Sequence, residues 1–331
     1  EQDRISLVVY AGASGVVLEP TPGNDHAAIS IALDQLRAGG STNGGAGIKL
    51  AYTMAEKGFI KGGINRVVLA TDGDFNVGTV NFEALKQLVE NKRKTGIALT
   101  TLGFGNGNYN DHLMEQLADA GNGNYAYIDT INEAQKVLVD EISATLNTVA
   151  KDVKIQIEFN PEIVSEYRLI GYENRMLKRE DFNNDKVDAG EVGAGHTVTA
   201  IYEISLKESG GNRIDPLRYQ PKTNREKQDY TNEFAFLRIR YKAPDSDTSQ
   251  LQEWPLNRNQ IQPALDTTSN QFRFSAAVAA FGQKLRGGKY LEQFDYDQIL
   301  EQARKARGDD NFGYRGEFIS LVNLAKSLDR G

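Results

Sequence analysis

The stretch Arg66-Val67-Val68-Leu69-Ala70-Thr71-Asp72-Gly73-Asp74 decides the fold of this chain. An apolar run that ends abruptly in Thr-Asp-Gly reads as a buried parallel strand. It delivers a carboxylate to the C-terminal edge of a sheet, where open α/β folds bind their ligands. Upstream, Gly39-Gly40-Ser41-Thr42-Asn43-Gly44-Gly45 sets hydroxyls in a glycine-rich loop just before a helix. Together the two segments offer one carboxylate and one or two hydroxyls, the oxygen donors that a hard divalent cation takes. No nucleophile–base pair stands beside them, so the pattern points to a metal-dependent binding module.

Strand and helix alternate on either side of this stretch. Ile5–Tyr10 and Val16–Leu18 read as strands, and Thr21–Asp25 as a turn with capping residues. Helical spacing aligns Ile29, Ala32, Leu33 and Leu36, with Gly39-Gly40 as the stop, then Ile48, Ala51, Tyr52, Ala55 and Phe59. After Val67–Thr71 come a helix with Phe82, Leu85, Leu88 and Val89, a strand Ile97–Leu102, and a helix with Leu113, Met114, Leu117 and Ala118 closed by Gly121. Strand Tyr125–Ile128 follows. Thr130 and Glu133 form a capping box for one long helix carrying Ala134, Val137, Leu138, Ile142, Thr145, Leu146 and Val149. The alternation predicts a doubly wound, mostly parallel α/β sheet over residues 1–150.

The period changes near 151. Val153, Ile155, Ile157 and Phe159 alternate with polar residues, as do Val198, Ala200, Tyr202 and Ile204, and Leu237, Ile239 and Tyr241. Residues 151–268 therefore read as an antiparallel β region, with 207–232 a polar loop and 243–268 an irregular connection. Residues 269–331 read as helices with faces Phe274/Ala277/Val278/Phe281/Leu285, Ile299/Leu300/Ala303 and Tyr314/Phe318/Leu321/Val322/Ala325, the first ended by Gly287-Gly288.

Bulk composition narrows the function. Of 331 residues, 40% are hydrophobic and 25% charged, and the net charge of −7 gives no basic field for nucleic acid. No apolar run is long enough to span a bilayer. Cysteine is absent, which removes disulfides, thiol catalysis and zinc–thiolate sites. The chain opens on Glu1-Gln2-Asp3-Arg4, without Met, and runs almost at once into a strand, as if earlier sequence had been cut away; any signal peptide or lipid anchor would lie upstream.

The order of elements, with Gly-Gly-Ser-Thr-Asn and Leu-Ala-Thr-Asp-Gly, resembles the von Willebrand factor type A domain over roughly residues 3–150. That resemblance implies a metal-ion-dependent adhesion site (MIDAS) holding Mg²⁺, or Mn²⁺ or Ca²⁺. Thr42 then matches the second-loop Thr and Asp72 the third-loop Asp, with Ser41, Asn43, Asp74 and Asn76 on the partner-binding rim. The family's Asp-x-Ser-x-Ser motif is absent. It follows the first, central strand, and this chain begins after it, so the first strand is expected to be missing and the metal site incomplete. Ser14 follows a different strand and does not substitute. Asp188–His196, Phe272–Gly282 and Gly313–Phe318 resemble the C-terminal region of bacterial YfbK-like proteins. These carry an A domain followed by a region of unassigned function and are often exported or lipid-anchored, which implies a place in the cell envelope.

Other motifs carry less. Gly103-Phe104-Gly105-Asn106-Gly107-Asn108 imitates a dinucleotide fingerprint, but Asn108 stands where G-x-G-x-x-G needs glycine. Asp181, Asn183, Asp185 and Glu191 imitate a calcium loop, but Lys186 and Val192 occupy the glycine and glutamate positions. His26, His112 and His196 show no ligand spacing, and His196 reads as opening a strand. Trp254 reads as pinning a polar connection to a core.

The sequence thus predicts a non-enzymatic, metal-ion-dependent protein-binding or scaffold module of the bacterial envelope, extracytoplasmic, periplasmic or lipid-anchored. Its partner would be a protein offering an Asp or Glu carboxylate to the metal. The alternatives are a metal-dependent hydrolase, for which Asp74 is the nearest base, and a purely structural envelope component without metal.

Overall fold

The computed structural model describes residues 1–11, 15–37, 44–71, 82–105, 110–172, 176–187, 189–207, 209, 213, 230, 232–291 and 294–329. The elements are β1 (Arg4–Val9), β2 (Gly15–Pro22), α1 (His26–Asp34), α2 (Gly44–Lys57), β3 (Asn65–Thr71), α3 (Phe82–Lys94), β4 (Ile97–Phe104), α4 (Asp111–Ala120), β5 (Tyr125–Ile128), α5 (Ile131–Gln135) and α6 (Ile142–Leu146). There follow β6 (Thr148–Phe159), β7 (Val164–Ile170), β8 (Gly190–Gly193), β9 (Ile201–Leu206), β10 (Glu233–Lys242), β11 (Ser249–Asn257), α7 (Asn270–Leu285), α8 (Tyr296–Lys305) and α9 (Tyr314–Leu328). The chain forms two compact units. The first takes residues 1–154, 185–197 and 241–250, the second the remainder.

In the first unit β3, β4 and β5 form a parallel sheet in sequence order. β3 pairs with β4 over seven residues, from Asn65↔Ile97 to Thr71↔Gly103. One face of this sheet is packed. Val67 and Leu69 of β3 and Leu99 of β4 meet Ile48 and Tyr52 of α2, Leu85 and Val89 of α3, and Met114 and Leu117 of α4. The alternation of strand side chains turns Val68 and Ala70 to the other face, where Val68 is 51% exposed. β1 and β2 make a separate antiparallel ribbon. α2 lies against β1, β2 and β3 alike, so one helix underlies both sheets. Among the described residues β3 has a strand neighbour only on its β4 side.

Caps set several boundaries. The Asp25 side chain accepts from the Ala28 amide at α1, and Asn110 accepts from Leu113 at α4. The α1 spacing places an apolar face on Leu33 and Leu36, yet the helix stops at Asp34 and both residues are exposed. The residues from 38 to 43, including the stop at Gly39-Gly40, lie outside the described set.

The long helix read from 131 to 149 is broken. α5 passes into a π-helical turn at Lys136–Asp140, α6 ends at Leu146, and Val149 lies in β6. Strand pairing overrides the helical period here. β8 takes Thr148 and Ala150 into register with Gly193 and Val192, and the Ala194 amide donates to the Asn147 carbonyl at 2.7 Å. Gly193 is required at this point, because a Cβ there would sit 1.7 Å from the Ala144 carbonyl oxygen.

In the second unit β7 pairs antiparallel with β9. A core of Phe159, Ile163, Val164 and Ala235 gathers Tyr202, Ile204 and Leu206 around it. The sequence pattern marked Val198 and Ala200 as strand, but β9 starts at Ile201, and β7 escaped it. The irregular connection expected at 243–268 contains β11 and two 3₁₀ turns. β11 ends the sheet order β11-β10-β6-β8, the edge position where Pro255 is tolerated. Trp254 lies on this strand and is 40% exposed, so it does not pin a core. His196 is exposed and precedes β9 rather than opening a strand.

α7, α8 and α9 close on Ala277, Ile299, Leu300, Ala303 and Val322. Asp310 fastens the start of α9. It accepts from the backbone amides of Arg315 at 3.1 Å and Gly316 at 2.8 Å and from Arg307 Nε at 3.1 Å. Burial alone pushes this carboxyl up, but the three donors hold it below the usual carboxylate range. A depressed folded pKa adds stability above the unfolded value, near 4, and that stability is lost as pH falls through the folded one. Asp310→Ala is expected to cost about 1–2 kcal/mol in urea unfolding at pH 7, with the difference from the parent shrinking below about pH 4.

Candidate functional site

The C-terminal ends of β3, β4 and β5 form one edge of the parallel sheet, because β3 and β4 are in register and β5 joins β4 at Phe104↔Ile128. β3 arrives there with Thr71, which is buried. Asp72 is the next residue. α2 begins at Gly44, two residues after Thr42, and Gly44, Gly45 and Gly47 are all buried. Thr42, Asp72, Ser41, Asn43, Asp74 and Asn76 themselves lie outside the described residues, as does 106–109 of the glycine-rich decoy.

Tyrosines that sequence patterning passed over anchor this edge. The Tyr10 hydroxyl, just past β1, donates to the Ala70 carbonyl of β3. Tyr10 reaches it by lying against α2, where a Cβ on Gly47 would stand 2.5 Å from the Tyr10 Cβ. One contact therefore ties together the end of β1, the first turn of α2 and the end of β3, and the last two lead directly from and to the candidate ligand loops. Tyr127 of β5 donates to the Gly105 carbonyl after β4, and Tyr125 donates to Asp111 at the start of α4. The only cue in the sequence was a tyrosine just after β1 and two within β5, which equally well describes ordinary core packing.

On α2, Tyr52 is fully buried and its hydroxyl has no hydrogen-bond partner among the described residues. Burial drives its pKa up, so it stays a neutral phenol and offers no base.

Among the described residues no group of three or more His, Cys, Asp or Glu side chains is placed to hold a metal ion. The calcium-loop imitation is dispersed. Asp185 accepts from Ser249 Oγ, and Glu191 accepts from Asn122. His26 and His112 are exposed, and the His112 ring meets Gln116. The described residues thus fit no ion by themselves.

Comparison with known proteins gives two adjoining matches. Residues 1–141 match the von Willebrand factor type A domain, and residues 144–328 match the family described as "Uncharacterized protein YfbK, C-terminal". YfbK of Escherichia coli (strain K12) is 53% identical over 99% of this chain, which spans 56% of that protein. Protein sll0103 of Synechocystis sp. is 28% identical over 49% of this chain and 38% of its own length. The chain thus spans about half or less of these relatives. A solved von Willebrand factor type A protein from Catenulispora acidiphila covers 96% of this chain and 72% of its own at 12% identity, with a TM-score of 0.44. Among the described residues no helix is long and apolar enough to cross a membrane.

The anchor at this edge is testable by substitution. Gly47→Ala would gain helix propensity, but its methyl meets the root of the Tyr10 side chain, which cannot swing away. A net loss of about 1–3 kcal/mol is expected from overpacking. Tyr10→Phe is expected to cost about 1 kcal/mol for the hydrogen bond to Ala70. Combining the two should cost less than their sum in chemical denaturation, because they share one contact.

Proposed function

We propose that this chain, which belongs to the YfbK family and carries a von Willebrand factor type A domain ahead of the YfbK C-terminal region, is a non-enzymatic, metal-ion-dependent protein-binding module of the bacterial cell envelope. The observation that carries this reading is the convergence of α2 and β3 on the Tyr10 contact. Thr42 lies two residues before α2 in the sequence and Asp72 directly after β3, so both would come to that sheet edge. Thr42 and Asp72 would hold Mg²⁺ or a similar ion, and Ser41, Asn43, Asp74 and Asn76 would form the rim. Bound there, the ion would supply a Lewis-acidic point that a partner's Asp or Glu carboxylate completes, so affinity and specificity share one bond.

Two oxygen donors are too few for tight binding of an ion that takes about six. The remaining donors would come from an Asp-x-Ser-x-Ser segment such as the von Willebrand factor type A family carries. In support, β1 and β2 pair only with each other and β3 only with β4 among the described residues. Placement outside the cytoplasm, as a periplasmic or lipid-anchored protein, follows the YfbK-like resemblance and belongs to the same proposal.

Calorimetric titration of Mg²⁺ and Mn²⁺ into this chain, and into a version extended upstream through the first strand, tests the reading. Tight binding is expected only in the extended form, with a loss of at least tenfold on Asp72→Ala and a smaller loss on Thr42→Ala. If neither form binds either ion, the protein is a structural envelope component and Asp72 a turn residue.

A further inference from the structure

The first compact unit joins residues 1–154 to 185–197 and 241–250, and both of the later segments come from the stretch that matches the YfbK C-terminal family. The three pieces meet at one ammonium. Lys242 Nζ of β10 donates to Asp152 Oδ2 of β6 at 2.5 Å and to the Asp185 carbonyl at 3.1 Å. The Lys242 and Asp152 side chains are only 11% and 14% exposed. At that burial the pair is not one of the solvated surface bridges that contribute little. The Asp152 hydrogen bond, with the charges of Asp152, Asp185 and Asp247, keeps the ammonium protonated against the cost of burial.

The backbone is shaped to present Asp152. Ala150 stands opposite Val192 and Val153 opposite Gly190, so β6 carries one residue more than β8 between these pairs. Asp152 lies in this bulge with a left-handed backbone, φ 50°, which aspartate tolerates better than most side chains. A bulge re-aims a side chain. Here the carboxylate serves two segments at once: Oδ1 accepts from the Ala189 amide at 3.2 Å, and Oδ2 takes Lys242. Asp185, one of the acids of the calcium-loop imitation, is gripped from both of the neighbouring strands β10 and β11. Its carbonyl accepts from Lys242 and its Oδ1 from Ser249 Oγ at 2.5 Å. Tyr241 donates to Gln250 at 3.2 Å across the same two strands. Ala189 leads into β8, where Gly193 is seated against the Ala144 carbonyl and the Ala194 amide donates to Asn147.

We propose that Lys242 and Asp152 form a latch that docks residues 185–197 and 241–250 onto the end of the A-type unit, with the Lys242 ammonium as the resident cation of that junction. One task of the C-terminal region is then to complete the first unit with β8 and the turn between β10 and β11, pieces that the sequence supplies late. The separable module is therefore not the stretch 1–141 that the family match marks. This goes beyond the binding edge and holds whether or not that edge takes a metal.

The test compares Lys242→Met, Asp152→Asn, Asp152→Gly and the Lys242→Met/Asp152→Asn pair in the whole chain, by urea unfolding and amide hydrogen exchange. Each single charge removal leaves the other group buried and uncompensated, so each should lower the urea midpoint, and the pair should lose clearly less than the sum. Asp152→Gly relieves the left-handed backbone but removes both acceptors, and should be less stable than the parent. Exchange of the Ala189 and Ala194 amides should speed about tenfold or more in Lys242→Met, with α7–α9 unchanged. Single losses that simply add, an Asp152→Gly variant as stable as the parent, or exchange that rises equally throughout the chain would overturn the latch. If the single variants fail to fold, a folded pair supports the proposal and an unfolded pair contradicts it. All of these measurements are made without added metal, so their failure is distinct from failure of the titration at the binding edge.

Discussion

Everything at the candidate edge depends on the parallel register of β3 on β4. Seven paired residues bring Thr71 level with Gly103, so the two strands end at the same edge of the sheet. Packing on one face locks that register. Val67, Leu69 and Leu99 drive into α2, α3 and α4, and a one-residue slip of β3 would exchange them for Val68 and Ala70. The hydrophobic burial that holds the sheet also seats Thr71 at its C-terminal edge.

Polar contacts of different kinds then hold the two ends of β3. At the C-terminal end a tyrosine hydroxyl binds Ala70, seated where Gly47 leaves no side chain in its way. At the N-terminal end Arg66 donates from its guanidinium to the Thr100 hydroxyl of β4. The first is a neutral hydrogen bond just before the candidate edge, and the second a charge-assisted one between neighbouring strands. Together they make β3 a strut, fixed at both ends and packed along one face.

Much of this was legible in the sequence, because local signals agreed with tertiary ones. The apolar run ending at Thr71, the helix stop at Gly121, and the strand Tyr125–Ile128 all stand where the sequence pattern places them. The long helix after Thr130 did not survive, since β8 captures Asn147 and Thr148 from more than 40 residues downstream and no local pattern announces that pairing. β11 escaped notice because an edge strand carrying proline and exposed side chains lacks the alternation of a half-buried one. Of the candidate site, the sequence supplied Thr42 and Asp72 through resemblance. Tyr10, Gly47 and Arg66 emerge only when distant segments meet, and their side chains are common enough in isolation to carry no signal.

The central claim is that the edge formed by Thr71 and the first turn of α2 is where a divalent ion would sit. Paramagnetic broadening by Mn²⁺ tests it directly, since even weak binding is seen. In amide spectra of this chain, titrated Mn²⁺ should broaden Thr71, Gly44 and Gly45 first and leave Asn65 and Arg66 sharp, and Asp72→Ala should abolish the effect. Broadening that is absent from this edge, or that begins at the opposite end of β3, would contradict the account.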